Sequence, residues 1–496
     1  MLTTEEARLK LQAKIDASKS SLFRNEHGQY ATPPALSHSL LKYARNLMGD
    51  EKVKFFDPAF GTGSFYTAAL NCFSNVSGFA VEWDKDYFKA ATDVWSKNKE
   101  LKLINSDFTL LKPEYKSNLV ICNPPYSRHH HLDIGAKKRM KEEIGNKLGV
   151  EISGLSGLHI YFMLLTHSWV EENGLSIWLV PSEIVEVNYG KVIRNYLLNN
   201  VTLERIHFFE QKELQFSDAL VSSCVIAFKK KKCSESHNVL ITTGDFDNPS
   251  VNKYLTVKEL KELTKWSKHL LVSNSIDNEV QSTLGDLFTI KRGIATGDNG
   301  FFILDKEEAE NLEIPKKYLR NIVPSSRYLK DNIIELDTDG YLKTERKLVL
   351  LDVDLPIEII KHKYPKLFDY IKYGEELGIH KKYLASRRSP WYSQEKRQPP
   401  AYFVRYMTRE KSDKTNHTLF IKNNSDAVAT NSYLMLYEKP KDSKITVRPN
   451  INIWDYFMQG VSADLYKYGR TYGGGLVKFE PKELLSIPLA SNLSLA

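Results

Sequence analysis

Between residues 52 and 228 the chain alternates short apolar runs with longer stretches whose apolar residues recur every three or four positions. The runs at 53–56, 78–81, 102–104 and 118–122 are too short for helices and sit between polar or glycine-rich segments, which predicts buried strands. Residues 64–73, 87–97, 159–171 and 191–199 carry the helical period. Further strands are expected at 175–180, 206–209 and 221–228. Upstream, residues 2–20 read as a charged helix. Pro33 and Pro34 open another through Leu36, Leu40, Leu41 and Ala44, because the first helical turn tolerates proline. Strand and helix in alternation predict an α/β fold around a mostly parallel sheet with an antiparallel edge strand.

The pattern breaks at the lysines of 229–232 and the polar residues after them. That break predicts a boundary after residue 235, with residues 1–235 in one domain and 236–496 in a second, mixed α+β domain of short helices and frequent turns. A chain of 496 residues is too long for a single core, and 42% hydrophobic residues can fill two. The net charge of +8 is compatible with a polyanionic partner without requiring one. Cys72, Cys122, Cys224 and Cys233 have no metal-ligand spacing, so reduced thiols and no metal are expected. The charged N-terminus lacks the apolar centre of a signal peptide, and no run reaches the ~20 apolar residues of a membrane span. A cytoplasmic protein without membrane contact is expected.

The first strand ends in Asp57-Pro58-Ala59-Phe60-Gly61-Thr62-Gly63, a tight glycine loop leading into a helix. Such loops bind ligands at the carboxyl end of a sheet, although this one lacks the third glycine of a dinucleotide fingerprint and the lysine of a P-loop. Glu82, followed by Trp83, ends the second strand about 20 residues later, where an acid accepts ribose hydroxyls. At the third strand end, Asp107 is placed to accept an exocyclic amine and Phe108 to stack on an adenine ring.

The fourth strand ends in Asn123-Pro124-Pro125-Tyr126. The prolines make a rigid turn and donate no backbone hydrogen bond, so their carbonyls are free to accept. A planar amine or amide nitrogen can then donate one hydrogen to the Asn123 side-chain oxygen and one to the Pro124 carbonyl. Those bonds draw the nitrogen out of conjugation and aim its lone pair at an incoming methyl group. Tyr126 offers a face for a base. The run Arg128-His129-His130-His131 cannot turn three consecutive imidazoles toward one metal, and Arg128 is a candidate phosphate contact.

In combination, Gly28 to Pro33, Asp57 to Phe65 and Asn123 to Tyr126 resemble the motif series of the TaqI-like, gamma-class N6-adenine DNA methyltransferases. That resemblance implies a Rossmann-like catalytic domain, S-adenosylmethionine as cofactor and a C-terminal target-recognition domain. It implies Tyr30 and Thr32 over the methionine end, with Asp57, Ala59 and Gly61 lining the same region. Glu82 then lies at the ribose, Asp107 and Phe108 at the adenine, Trp83 also against the cofactor, and Asn123 beside both substrates. Phe216 would stack on the flipped adenine opposite Tyr126, although a core aromatic would read the same. Phe60 departs from the family, which often has a small residue or cysteine there.

Lys291-Arg292-Gly293 to Gly297 resembles the start of that family's specificity domain. Basic residues beside aromatics, as in Arg387-Arg388-Ser389-Pro390-Trp391, suit phosphate contact, so Lys291, Arg292, Arg387 and Arg388 are candidates with Arg128. The resemblance implies a monomer acting on double-stranded DNA, with a cognate restriction endonuclease acting separately. The short stretch before Gly28 leaves no room for a nuclease domain. Methylation of rRNA adenine or protein glutamine, or a catalytically inactive DNA-binding homologue, remains an alternative, because Asn-Pro-Pro-Tyr serves any planar nitrogen.

Overall fold

The computed structural model describes residues 3–487 except 21–22, 25–26, 128–132, 155, 187–189, 210–222, 264–265, 267–282, 326–327, 330, 410–418, 441–452, 460–468 and 473–475. Two compact units divide at Ile276 and Asp277. In the first, helices α1 (Thr4–Ser18) and α2 (Pro34–Met48) precede an alternating series. It runs β1 (Val53–Asp57), α3 (Ser64–Cys72), β2 (Val76–Glu82), α4 (Lys85–Trp95), β3 (Leu101–Asn105) and β4 (Ser117–Cys122). Then come α5 (Ile134–Leu148), α6 (Leu158–Thr166), β5 (Val170–Pro181), α7 (Glu183–Glu186) and α8 (Lys191–Asn199). Strands β6 (Thr202–Phe208), β7 (Ser223–Lys229), β8 (Asn238–Gly244) and β9 (Pro249–Thr256) complete it.

The nine strands form one sheet in the order β3-β2-β1-β4-β5-β7-β6-β8-β9. β1 to β5 are mutually parallel where they pair, and β7 runs antiparallel between β5 and β6. The last expected strand, β7, is antiparallel but internal, and the antiparallel edge beside β8 is β9, a strand not anticipated. Both faces of the sheet are covered, and side chains alternate between them with the period of two. Phe55 and Ile121 pack with Leu40 and Tyr66 on one face, while Phe56 and Val120 pack with Ile160 and Trp169 on the other.

Two expectations change. The boundary after residue 235 falls inside the first unit, because the lysine run ends β7 and starts the turn to β8, and the sheet gains two more strands. The helix expected through residue 171 ends at Thr166, where a short 3-10 turn leads into β5. The second unit holds a five-stranded, a four-stranded and a three-stranded sheet with helices Ile357–Lys363 and Pro365–Glu376, a mixed α+β architecture. Among the described residues, no helix is long and apolar enough to cross a membrane.

Candidate active site

At the carboxyl ends of β1 to β4 lies a cavity of about 370 Å3. Its floor begins with the glycine loop after β1. Gly63 has φ +94°, and a Cβ there would lie 2.6 Å from Trp95 Nε1 and 2.7 Å from the Phe60 ring, so the loop packs too closely for a side chain. Trp95 Nε1 donates to the Thr62 carbonyl at 3.0 Å. Phe60, the departure from the family pattern, is buried under the loop against Tyr66 and is absent from the cavity wall.

Glu82 ties this loop to the next. One carboxylate oxygen accepts from Gly61 N–H and the other from Asp84 N–H, each at 2.7 Å. Burial, aided by the nearby charges of Asp84 and Asp57, pushes its pKa up to about 8 against those two bonds. Asp57 is 1% exposed and lies beneath the wall, not in it. Its carboxylate accepts Ala59 N–H at 3.0 Å, and burial raises its pKa to about 7. Trp83, in contrast, is 56% exposed at the cavity and stacks on His27.

After β3, Asp107 Oδ1 accepts from Thr109 N–H and the Thr109 hydroxyl, both at 2.8 Å, and so caps a short 3-10 turn. Phe108 is 2% exposed, packed against Phe56, Phe162 and Trp169, and only reaches the wall from that aromatic cluster. Leu158 and Phe162, one helical turn apart on α6, add apolar wall. The reading of the sequence missed this pair, although their spacing on an apolar helix was visible.

The Asn-Pro-Pro-Tyr turn after β4 is held by the strap of residues 28–32. Asn123 Nδ2 donates to the Tyr30 carbonyl at 2.9 Å and to Thr32 Oγ1 at 3.1 Å. Both amide hydrogens are thereby used, and Oδ1 becomes the acceptor end of a side chain on the cavity wall. Thr32 is buried and meets the cavity only through Asn123. Tyr126 is 8% exposed, its hydroxyl donates to the Leu179 carbonyl at 3.1 Å, and its ring centre lies 5.8 Å from that of Tyr30.

Of the expected site residues, Tyr30, Ala59, Gly61, Glu82, Trp83, Asp107, Phe108, Asn123 and Pro125 line this one cavity. Asp57, Thr32, Pro124 and Tyr126 do not line it. Phe216, Arg128 and the histidines 129–131 lie outside the described residues. Gln12, Tyr87 and Met140 line it without having been anticipated.

In the second unit the four candidate cations separate. Lys291 is exposed with its ammonium 5.6 Å from the Tyr437 ring centre, and Arg387 is exposed and stacked 3.6 Å over Tyr383. Arg292 pairs with Glu480 at 2.5 Å. Arg388 is half-buried and donates to the carbonyls of Ala295 and Thr296 at 2.6 and 2.7 Å. Its guanidinium holds a turn, and Arg387 likewise donates to the Tyr383 carbonyl at 2.8 Å.

A methyltransferase-type sheet with its cleft at the strand ends defines the class, and comparison with known proteins narrows it. The chain belongs to the type II restriction-modification methyltransferases. Residues 59–216 match the family model of the Eco57I restriction-modification methylase, and residues 261–496 match that of the C-terminal domain of type II methyltransferase M.Eco57I. Type II methyltransferase M.AccI of Acinetobacter calcoaceticus is 25% identical over 98% of this chain and 89% of its own length. M.XamI of Xanthomonas campestris pv. amaranthicola is 24% identical over 94% and 86%.

Among solved structures, the fold resembles the type IIL restriction-modification enzyme MmeI in complex with DNA, with a TM-score of 0.59 at 13% identity, covering 95% of this chain and 69% of that one. It also resembles the type IIG restriction endonuclease BpuSI, with a TM-score of 0.50 at 14% identity. That match covers 100% of this chain but only 62% of BpuSI.

Proposed function

We propose that the chain is a TaqI-like, gamma-class enzyme that transfers a methyl group from S-adenosylmethionine to the N6 amino group of adenine in double-stranded DNA. The observation that carries this reading is the anchored amide of Asn123, whose acceptor end is fixed by Tyr30 and Thr32. An adenine amine donates one hydrogen to Asn123 Oδ1 and the other to the Pro124 carbonyl. The cofactor brings an already electrophilic methyl group, so the chain's task is to position the amine in line and dry. Such a pocket is reached only by a base turned out of the duplex. Phe216 and Tyr126 are proposed to hold that base, and Arg128, Lys291 and Arg387 to contact phosphates.

The cavity fits the cofactor. Its volume lies within the ~300–1,000 Å3 of small-molecule sites, and it combines apolar walls with two acids from strand ends. Glu82 is proposed to accept the ribose hydroxyls, Asp107 the adenine amine, and Trp83 to cover the ring. The MmeI structure is a DNA complex, and the matched family model is that of a restriction-modification methylase, which supports DNA as the substrate. We read the chain as a monomer that protects host DNA from a separately acting endonuclease.

Sequencing-based mapping of modified bases in a host expressing the chain tests this reading. N6-methyladenine at one short recurrent sequence is the expected result. With tritiated cofactor, label confined to protein or rRNA overturns it.

A pH dependence follows from Glu82. With burial raising its pKa to about 8, the carboxyl titrates within reach of neutral pH, and the ionised form is the better acceptor for hydroxyls. Cofactor affinity is therefore expected to strengthen as pH rises through 7 to 8 and to level off above, by at most ~10-fold per pH unit. Glu82→Gln should weaken binding and flatten the profile. Titration calorimetry at several pH values reads both, and a wild-type affinity constant from pH 6 to 8.5 would contradict the assignment.

A further inference from the structure

Helix α1 buries no apolar side chain fully, and Ala7, Leu11 and Ile15 are only half-buried. The only residues it buries are Arg8 and Gln12, and Leu9 is 40% exposed. With so little apolar area buried along it, α1 depends heavily on specific polar contacts. On α1 those contacts converge on the two loops that line the cavity.

Arg8 is clamped by Glu5 and donates to Thr62 Oγ1 at 3.0 Å. Thr62 in turn donates to Gln12 Oε1 at 2.7 Å, inside the glycine loop between Gly61 and Gly63. Asp16 accepts from Gln12 at 2.9 Å and from the Tyr87 hydroxyl at 2.6 Å. Just beyond the helix, Lys19 pairs with Asp84, the residue whose N–H is held by Glu82. Gln12 and Tyr87 themselves face the cavity.

We infer that α1 is a clasp that sets cofactor affinity by holding the β1 and β2 loops in their binding positions, with Arg8 and Thr62 as positioning residues. The inference rests on the reading of this cavity as the S-adenosylmethionine site. Loops held in place beforehand lose less entropy when the ligand arrives. Loosening the clasp therefore weakens binding and leaves the chemistry of the Asn-Pro-Pro-Tyr turn alone.

The test pairs two sets of variants. Glu5→Gln with Arg8→Met removes the guanidinium without stranding a carboxylate. Thr62→Val removes the same contact from the loop side, and Thr62→Ser keeps the hydroxyl. The double variant is expected to raise the KM and Kd for S-adenosylmethionine by ~10-fold, the scale of one lost charge-assisted hydrogen bond, with kcat at saturation within ~2-fold of wild type. Thr62→Val should raise the Kd similarly and Thr62→Ser should not.

As a control independent of folding, hydrogen exchange on the wild-type chain should show α1 amides protected on adding S-adenosylmethionine. An unchanged KM in a folded double variant, a fall in kcat alone, or α1 exchange blind to the cofactor overturns the clasp. Failure of the wild type to bind S-adenosylmethionine at all instead overturns the assignment of the cavity.

Discussion

Gly28→Ala is expected to abolish methyl transfer, with a loss of at least ~10³-fold in single-turnover rate, on a sheet that still folds. Gly28 has φ +64°, and a Cβ there would lie 2.0 Å from Tyr126 N and 2.7 Å from Tyr126 Cα. These are backbone atoms of the Asn-Pro-Pro-Tyr turn, so no side chain can swing aside. The strap must retreat by more than 1 Å, and it carries the Tyr30 carbonyl and Thr32 hydroxyl that orient Asn123. Left-handed backbone in a residue other than glycine adds ~1–2 kcal/mol, so thermal unfolding should also fall by several degrees. Wild-type turnover in this variant would show that strap and turn do not meet as described.

Asn123→Ala comes next in size. It removes one of two proposed hydrogen bonds to the target amine and both tethers to the strap. With buried bonds worth ~1–3 kcal/mol each, kcat should drop by ~10²–10⁴-fold while cofactor Kd moves only a few-fold. Asn123→Asp discriminates between the two roles of the side chain. It keeps an acceptor for the amine but sets a carboxylate against the Tyr30 carbonyl, so it should retain more activity than alanine and less than asparagine. Radiometric methyl transfer under single-turnover conditions separates the three. Equal activity of the alanine and wild-type proteins would remove Asn123 from the reaction.

Much of this site was legible because strand ends are read from local patterns. A glycine loop, an acid, a second acid and Asn-Pro-Pro-Tyr each follow a short apolar run, and a parallel sheet brings such ends together. Depth was not legible. Asp57 and Phe108 stand at the expected strand ends, yet one is buried beneath the wall and the other is caged by Phe56, Phe162 and Trp169, partners far away in the chain. The role of α1 was hidden for the opposite reason, since its most deeply buried residues are the polar Arg8 and Gln12, and a polar residue in a sequence gives no sign that it faces inward. Nor can a sequence show that the Arg388 guanidinium meets the carbonyls of Ala295 and Thr296. The lysines at 229–232 imitated a linker because an exposed turn and a domain junction share the same composition.

That last turn bears on how such proteins can be recombined. Replacing everything after residue 235 with a domain that lacks counterparts of β8 and β9 would leave the main-chain edge of β6 bare to neighbouring molecules. Exposed strand edges invite pairing between chains, so hybrids cut there would be lost to aggregation before any altered specificity could be measured. A seam at Ile276 keeps all nine strands together. Whether a graft succeeds is thus decided by where the first unit ends, some forty residues beyond the point at which the chain first looks divisible.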